Sequence, residues 1–306
     1  MRNLMVFVSF LVMASSEAQL PIMLGSSKEF EPLSINYGQL PDLGRTELRN
    51  YGINLNLVKP LTKGILGLGL AYQRFDFNFN ESTNALELST FEKMNTINVG
   101  IFYVRPLKNN WGLLFSGGTA LMSNFAAGIS GEDFVFNALV GFTKKWGDEN
   151  RNSNLLFGAF YGTQFGEPTV FPAISFNQKL NERWSYSLGI PVTGLTYTIN
   201  ETQSISLLAS PQGIFGNNAD EIPVTGNRTL KNTKLQFNGI HTRLSYRFRF
   251  TGNLAFIGEA GLFANPTLKI LDSANEAIFD FDPESSTYFN LGLRYVLQKQ
   301  QKNSTK

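Results

Sequence analysis

A hairpin in residues 97–122 is the feature of this sequence that most constrains its fold. Apolar side chains recur at every second position in residues 97–103 and again in 113–121, on either side of the polar turn 105–110. Because successive side chains of a strand point to opposite faces, this period on both sides of a short turn predicts paired antiparallel strands. Repeated hairpins without helical segments between them predict an all-β fold, in which each hairpin adds strands to one sheet until the sheet closes on itself. Similar turns begin further alternating runs at residues 59–64 and 177–184.

The composition of the 306-residue chain excludes several classes of site and partner. Only 16% of the residues are charged, whereas soluble domains average about 25%. A net charge of +2 argues against nucleic acid as a partner, since phosphate binding needs a basic surface. The chain has no cysteine and a single histidine, His241, which excludes thiolate and histidine-rich metal sites. We therefore predict no cofactor and no metal centre.

The first 18 residues have the features of a secretory signal peptide. Arg2 supplies the basic start, residues 4–14 are apolar, and residues 16–18 form a small-x-small cleavage site. The apolar run is too short for a membrane anchor helix, which needs about 20 residues. The predicted organisation is a signal peptide at 1–18, an outer-membrane β-barrel at 19–298 and a polar tail at 299–306.

The alternating segments predict about 12 strands, and the pattern is compatible with 10 to 14. Compact connections follow the even strands and the long ones follow odd strands, so short turns gather at one end and long loops at the other. This arrangement is typical of outer-membrane barrels. The longest weakly patterned segment is 200–232, with room for a short strand such as 204–208. In the third strand Phe75, Phe77 and Phe79 leave the earlier alternation, which predicts a bulge or the end of the buried stretch.

Strand length and aromatic placement separate a membrane barrel from a secreted β-sandwich, which shows the same alternation. Several segments reach about ten residues, longer than the 5–6 usual in globular strands and close to the 9–11 that cross a bilayer. Aromatic residues such as Tyr51, Tyr72, Trp111 and Trp184 recur near segment ends, as in interfacial girdles. We predict a single transmembrane antiparallel up-and-down β-barrel, with the sandwich as the alternative.

The same segments resemble a known class of protein. The hairpin turn with Arg105, Pro106 and Trp111, and the final strand at 288–297, are similar to Gram-negative outer-membrane β-barrel proteins, in particular to an uncharacterised family, the domain of unknown function 6268. The resemblance implies export to the bacterial outer membrane and contact with its lipid, with periplasmic chaperones and with the barrel-assembly machinery. It implies no ligand and no catalytic residue. The polar end at 298–306 departs from the aromatic chain end usual in such barrels.

One predicted strand, at residues 240–250, carries most of the charged side chains that share a face. The turn at 251–253 places Glu259 of the next strand beside Ser245 on that face. One interpretation is a cationic lumen stripe that selects anionic solutes. The other is a salt-bridge network that fills the barrel, since unpaired charges in a narrow lumen are costly. The candidate lumen charges are His241, Arg243, Arg247, Arg249, Glu259 and Arg294.

Other polar groups give weaker indications of chemistry. Ser245 lies four residues from His241, about 13 Å along one strand, which is too far for a nucleophile and its base. The sequence contains no G-x-S-x-G elbow, so we predict no enzyme, although a serine on a neighbouring strand leaves an acyl hydrolase as an alternative. The acidic loop residues Asp280, Asp282 and Glu284 lack the EF-hand spacing, and solvated loop charges are the simpler interpretation. The pair Asp220 and Glu221 is interpreted in the same way.

The leading functional hypothesis is an integral outer-membrane barrel that acts as a small porin-like channel for solutes, with an arginine-lined lumen. The first alternative is a plugged barrel that acts through its extracellular loops, in adhesion or as a scaffold. The second is an outer-membrane acyl hydrolase built around His241.

Overall fold

The computed structural model describes residues 29–80, 87–148, 151–224 and 228–298. The predicted signal peptide at 1–18 and the predicted tail at 299–306 lie outside these residues. In the described part of the chain, no helix has the length and apolar character needed to cross a membrane.

The described residues form seventeen strands and three short 3-10 segments. The strands are β1 Glu29–Leu40, β2 Thr46–Leu61, β3 Gly64–Phe79, β4 Lys93–Pro106, β5 Trp111–Ser123, β6 Phe134–Gly147, β7 Asn152–Gly162, β8 Thr169–Lys179, β9 Trp184–Ile190, β10 Thr193–Asn200, β11 Gln203–Asn218, β12 Ile222–Val224, β13 Arg228–Leu230, β14 Thr233–Arg249, β15 Leu254–Leu271, β16 Ala277–Asp280 and β17 Ser286–Gln298. The 3-10 segments are Leu88–Phe91, Lys108–Asn110 and Gly131–Asp133.

Fourteen of these strands pair in antiparallel fashion with their neighbours and close a barrel. The wall runs from β1 to β11 and continues through β14, β15 and β17, and β17 pairs with β1 to close the ring. The predicted number of about 12 strands was therefore too low, and the true number is the upper end of the predicted range. The short strands β12, β13 and β16 lie in the long loops, and β16 adds to the end of β15.

The two strands missing from the prediction are β10 and β11. Only residues 191 and 192 separate β9 from β10, so the sequence shows one run where the chain turns back. The lumen-facing residues of the two strands are polar, as in the hydrogen-bonded pair Thr196 and Ser206, whose hydroxyl oxygens lie 2.9 Å apart. Because the missed hairpin adds two strands, every later strand keeps its direction. The predicted separation of short turns from long loops is therefore unchanged. The short-turn end carries the connections at 62–63, 107–110, 148–151, 180–183, 201–202 and 250–253.

The outer face of the wall is an apolar belt. Its side chains stand exposed although they are large and hydrophobic, as for Leu244 at 53% and Leu291 at 54%. An exposed hydrophobic surface of this extent indicates contact with an apolar environment. For the outer face of a closed barrel, that environment is lipid. The belt is formed by outward residues such as Ile53, Ile101 and Phe142.

The predicted bulge near Phe75 is absent, because the ladder between β2 and β3 runs without a register shift from Thr46↔Phe79 to Leu61↔Gly64. What changes along β3 is the polarity of its two faces. In the lower part Leu70 points outward and the inner face is lined by small or polar residues such as Gln73. Further along, Phe75 points inward and is 1% exposed, whereas Arg74 is on the outer face. The change marks the place where the strand leaves the apolar belt.

Nine wall strands continue past the belt at the long-loop end, and we call this part the loop-side extension. β11 is essential to it: its ladder with β10 ends at Ala209, but the strand continues to Asn218 beside β14. There Asn217 forms a parallel bridge with Ser123 of β5. The extension is thus closed into a smaller ring above β6–β10. It comprises the described residues in 38–50, 73–96, 122–133, 210–239 and 263–288.

A hydrophobic core of the kind found in soluble domains fills the loop-side extension. Phe237 and Phe263 are both fully buried and stack with ring centroids 5.0 Å apart. Phe77 meets Phe237 edge to face at 6.1 Å. The long loops also supply core side chains. The core consists of Leu40, Leu43, Leu48, Phe75, Phe77, Leu88, Phe91, Met94, Met122, Ile214, Ile222, Leu235, Phe237, Phe263, Leu268, Ile270, Phe281 and Tyr288.

Candidate functional site

The charged part of the lumen lies on β14, β15, β17 and β1, between the loop-side core and the short-turn end. The predicted cross-strand register is present, since Ser245 pairs with Glu259. Along β14 the outward residues Leu244 and Tyr246 are exposed, whereas Arg243 between His241 and Ser245 turns inward and is 8% exposed. Strand alternation therefore puts the charges on the face opposite the apolar belt.

Glu259 holds the centre of this cluster. Its Oε1 lies 3.3 Å from Nε of Arg243, and both side chains are nine-tenths buried. The Nδ2 group of Asn290 donates a hydrogen bond of 2.9 Å to the other carboxylate oxygen. Arg243 also donates from Nη1 to the hydroxyl oxygen of Ser210 at 3.1 Å. The guanidinium and the carboxylate are thus neutralised by each other and anchored to two neighbouring strands.

A second ion pair group joins three strands through Glu31 of β1. Its Oε1 lies 3.2 Å from Nη2 of Arg247, and its Oε2 lies 3.6 Å from Nε of Arg294. Arg294 also donates from Nη1 to the carbonyl oxygen of Ile35 at 3.2 Å. One carboxylate therefore bridges β14 and β17, at the seam where the last strand pairs with the first.

Sequence reasoning missed Glu31 because alternation assigns it to the wrong face. Leu33 and Ile35 point outward, so a regular strand would turn Glu31 outward with them. A register shift between Phe30 and Leu33 in the ladder with β17 turns the carboxylate inward. A one-residue shift moves side chains to the opposite face. Pro32, which lies between Phe30 and Leu33, is the local signal that could have marked this shift, since proline within a strand is found at edges and bulges.

The remaining predicted charges lie nearer the short-turn end. Arg249 is half-buried and donates from Nη2 to the carbonyl oxygen of Glu201 at 3.0 Å. The side chain of Arg247 is 23% exposed, whereas those of Arg243 and Arg294 are 9% and 5% exposed. Arg247 and Arg249 are therefore the more hydrated arginines of the cluster, and Arg243 and Arg294 are the most buried.

His241 lies at the boundary between the charges and the apolar core. Its Nδ1 is 3.2 Å from Nη1 of Arg243, and its ring is 3.8 Å from that of Tyr288, edge to face. Its Nε2 is buried without a hydrogen-bond partner among the described residues. No serine hydroxyl in the described part of the chain contacts the imidazole, so the nucleophile–base pair required by the hydrolase hypothesis is not assembled here.

Across the lumen from these charges, the inner wall carries an apolar patch. Leu114 and Leu139 are almost fully buried, and Phe160 lies beside Phe171 with ring centroids 4.8 Å apart. These side chains come from β5–β8 and lie across from the charged strands. The inner wall therefore carries a charged patch on β14, β15, β17 and β1 and an apolar patch on β5–β8.

The long loops are joined to one another by hydrogen bonds around Asn124. Its Nδ2 donates to the carbonyl oxygen of Thr90 at 3.0 Å and to Oδ1 of Asn218 at 2.6 Å. Nearby, Nδ2 of Asn217 donates to the fully buried Asp133 at 2.8 Å. Because these bonds connect the loops that follow β3 and β5 to the end of β11, they hold the loop-side extension together above its core.

Two of the acidic loop residues singled out in the sequence, Asp280 and Glu221, form ion pairs. Asp280 lies 3.0 Å from Nζ of Lys269, and Glu221 forms an ion pair with Lys231. Among the described residues, no group of three or more His, Asp or Glu side chains is placed to hold a metal ion.

Residues 47–296 match one family profile, described as a domain of unknown function (DUF6268). The chain belongs to this family. The description of DUF6268 assigns no activity, so membership of the family does not establish a function. No curated protein matches the chain.

Several solved barrels are similar to this DUF6268 chain in structure. The NanC porin has 9% identity, covers 86% of this chain and 98% of its own, and has a TM-score of 0.42. LpxR from Salmonella typhimurium has 9% identity, 86% and 99% coverage and a TM-score of 0.38. The Pseudomonas putida toluene transporter TodX has 10% identity, 89% coverage of both chains and a TM-score of 0.38. Likenesses this loose indicate no ligand and no activity for this chain.

Proposed function

We propose that this protein is an integral outer-membrane barrel with a closed lumen, which acts through the surface of its loop-side extension, in adhesion or as a scaffold. The observation that supports this most directly is the apolar core that fills the extension. The core occupies the place where a diffusion channel needs a water-filled mouth.

Placement in the outer membrane is supported by the apolar belt and by the barrel itself. Short turns of such barrels face the periplasm and long loops face the outside. The described chain begins and ends at the short-turn end, as β1 and β17 do. In this orientation the loop-side extension projects from the cell, and the signal peptide predicted at 1–18 supplies the route of export.

Closure is supported by the energetics of the core. Phe77, Phe237 and Phe263 are each at most 3% exposed and contact one another in stacked or edge-to-face geometry. Full burial of one such side chain contributes about 1.5–3 kcal/mol relative to exposure. Opening a path to the outside would expose several of them to water at once, so the closed arrangement is strongly favoured.

The porin-like hypothesis is less well supported. A channel for anions needs arginines that face water, but Arg243 and Arg294 are buried and paired with carboxylates. Arg247 keeps a partly exposed side chain, at 23%, but it too is paired with the carboxylate of Glu31. The charges thus resemble an interior network that fills the barrel, the alternative interpretation drawn from the sequence.

Conductance measurements test the closed lumen. The folded barrel, verified by its heat-modifiable gel mobility, is inserted into a planar bilayer at high salt. We expect no stable current steps above background. Stable steps from the folded wild-type protein would refute the closed lumen and support the porin-like channel.

Cysteine labelling tests the projecting surface, and the chain has no native cysteine to interfere. Lys93 is exposed on the outer face of the loop-side extension, and Lys63 is exposed in a short turn. In intact cells, we expect a membrane-impermeant maleimide to label Lys93→Cys and to leave Lys63→Cys unlabelled until the outer membrane is permeabilised. The opposite pattern would reverse the orientation and refute a role in surface presentation.

A further inference from the structure

The charges of the molecule are separated between the two ends of the barrel, although the net charge is only +2. The short-turn end is basic, and the long-loop end is acidic. The loop between β15 and β17 alone contains Asp272, Glu276, Asp282 and Glu284. A chain that is nearly neutral overall therefore presents two surfaces of opposite sign.

Basic side chains at the short-turn end lie on one part of the ring, from β2 to β9. Six of them form no ion pair with a carboxylate among the described residues, whereas Arg74, Lys231 and Lys269 at the other end are paired. We call this surface, together with its tryptophans, the basic–tryptophan arc. Its basic members are Lys59, Arg105, Lys108, Lys144, Arg151 and Arg183.

All three tryptophans of the protein lie in the same arc. Trp111 begins β5, Trp146 lies near the end of β6, and Trp184 begins β9. Each points outward with the apolar belt and is between 37% and 43% exposed. Tryptophan is enriched where a membrane-spanning element meets the headgroup layer, because its ring is apolar and its N–H is polar. The arc is therefore at the height of the lipid headgroups.

The basic and aromatic members of the arc are in contact. The Nζ atom of Lys144 lies 5.1 Å from the ring centroid of Trp111. Arg183 donates from Nη1 to the hydroxyl oxygen of Tyr197 at 3.4 Å, and the ring of Tyr197 packs against Trp184 at 4.7 Å. The tryptophans thus fix the height at which these cations lie.

From this arrangement we propose that the basic–tryptophan arc binds the anionic headgroups of phospholipids in the membrane leaflet at the short-turn end. Unpaired guanidinium and ammonium groups at headgroup height offer charge-assisted hydrogen bonds to phosphate oxygens. The loop side offers no such surface, because it is acidic overall and its Arg74, Lys231 and Lys269 are paired with carboxylates. The inference rests on the proposed membrane location and adds a lipid preference to it.

The three tryptophans make the proposal directly measurable, since fluorescence quenching reports the lipid next to the arc. The folded barrel is reconstituted in phosphatidylcholine vesicles containing phosphatidylglycerol. In one sample the phosphatidylglycerol carries brominated acyl chains, and in the other an equal mole fraction of the phosphatidylcholine does. We expect brominated phosphatidylglycerol to quench more, with an apparent association constant roughly threefold to tenfold above that of phosphatidylcholine. The preference should weaken in high salt, which screens exposed charges.

A matched pair of variants ties the preference to the arc. Arg105→Gln with Arg183→Gln should reduce the association ratio at least by about half, since two of the six basic residues lose their charge. Lys93→Gln with Lys231→Gln removes the same charge from the loop side and should leave the ratio unchanged. Heat-modifiable mobility shows whether each variant is folded.

The outcomes separate this inference from the membrane location on which it rests. Equal quenching by the two lipids would overturn the proposed preference while leaving the barrel in the membrane. A preference that both variants reduce equally would also overturn it, because a general charge effect would then be its source. An absence of quenching by either lipid would instead refute the membrane location.

Discussion

Glu31→Gln is the substitution that tests the interior network most sharply. The change keeps the size of the side chain but removes the charge that Arg247 and Arg294 share. The side chains of Glu31 and Arg294 are 11% and 5% exposed, so two guanidinium groups would lose their counter-charge in a poorly hydrated lumen. Removal of one partner of a buried pair costs about 3–5 kcal/mol.

The partial exposure of Arg247, at 23%, lowers this expectation. We expect Glu31→Gln to lower the free energy of unfolding by about 2–3 kcal/mol. The matched control is Glu47→Gln, because the Glu47–Arg49 pair has a similar distance of 3.5 Å but side chains 31% and 50% exposed. Loss of that surface pair should cost at most about 0.5 kcal/mol.

Urea unfolding of the reconstituted barrel measures both variants, since an uncharged denaturant does not screen the ion pairs. Tryptophan emission and heat-modifiable mobility give two readouts of the same transition. A double-mutant cycle with Arg247→Gln then isolates the coupling, which should be at least about 1 kcal/mol. If Glu31→Gln destabilises the barrel no more than Glu47→Gln does, the carboxylate is not a clamp of the closing seam and the reasoning is wrong.

Three further substitutions test the core, the belt and His241. Phe237→Ala should lower the free energy of unfolding in urea by about 3–5 kcal/mol, because it opens a cavity in the loop-side core. Leu244→Ala, on the lipid face of the same strand, should lower it far less. Similar losses would contradict a packed core. Leu70→Arg should destabilise the inserted barrel by about 2–4 kcal/mol, whereas Asn78→Arg, beyond the belt, should be nearly neutral. The measurement is the fraction of protein that is folded in vesicles across a series of urea concentrations. Equal effects would argue against the polarity change along β3. His241→Phe should alter stability by less than about 1.5 kcal/mol, since it removes a buried nitrogen without a described partner, and any ester-hydrolysis activity lost with this variant would revive the hydrolase hypothesis.

The fold was predictable from the sequence because its main signal is local. The period of two reports which face of a strand meets an apolar medium, and it is visible in each segment separately. Two strands were missed where this signal fails. β10 follows β9 almost without a connection, and the second half of β11 leaves the regular wall to cross towards β5. The departure from alternation at Phe75 was a true signal, but its cause is a change of surroundings at the edge of the belt and not a bulge.

The candidate site was only partly predictable. The register between Ser245 and Glu259 follows from a tight turn, so their proximity could be counted along two neighbouring strands. Glu31 could not be found in this way, since it joins the cluster from the other end of the chain through an irregularity in the β1–β17 ladder. Its role depends on two long-range contacts, with Arg247 and Arg294, that no local pattern encodes.

By itself the sequence determined that this chain makes hairpins, closes a barrel and turns one apolar face outward, because each property depends on neighbours a few residues apart. Only the tertiary structure decided that an apolar core fills the loop-side extension, that Arg243, Arg247 and Arg294 are paired with carboxylates and that opposite charges lie at opposite ends. Those outcomes depend on which strands meet across the barrel, as β11 meets β5 through Asn217 and Ser123. Packing and ion pairing act at distances of a few ångströms in space, and the residues involved are separated by as many as two hundred positions along the chain, as Arg247 is from Glu31.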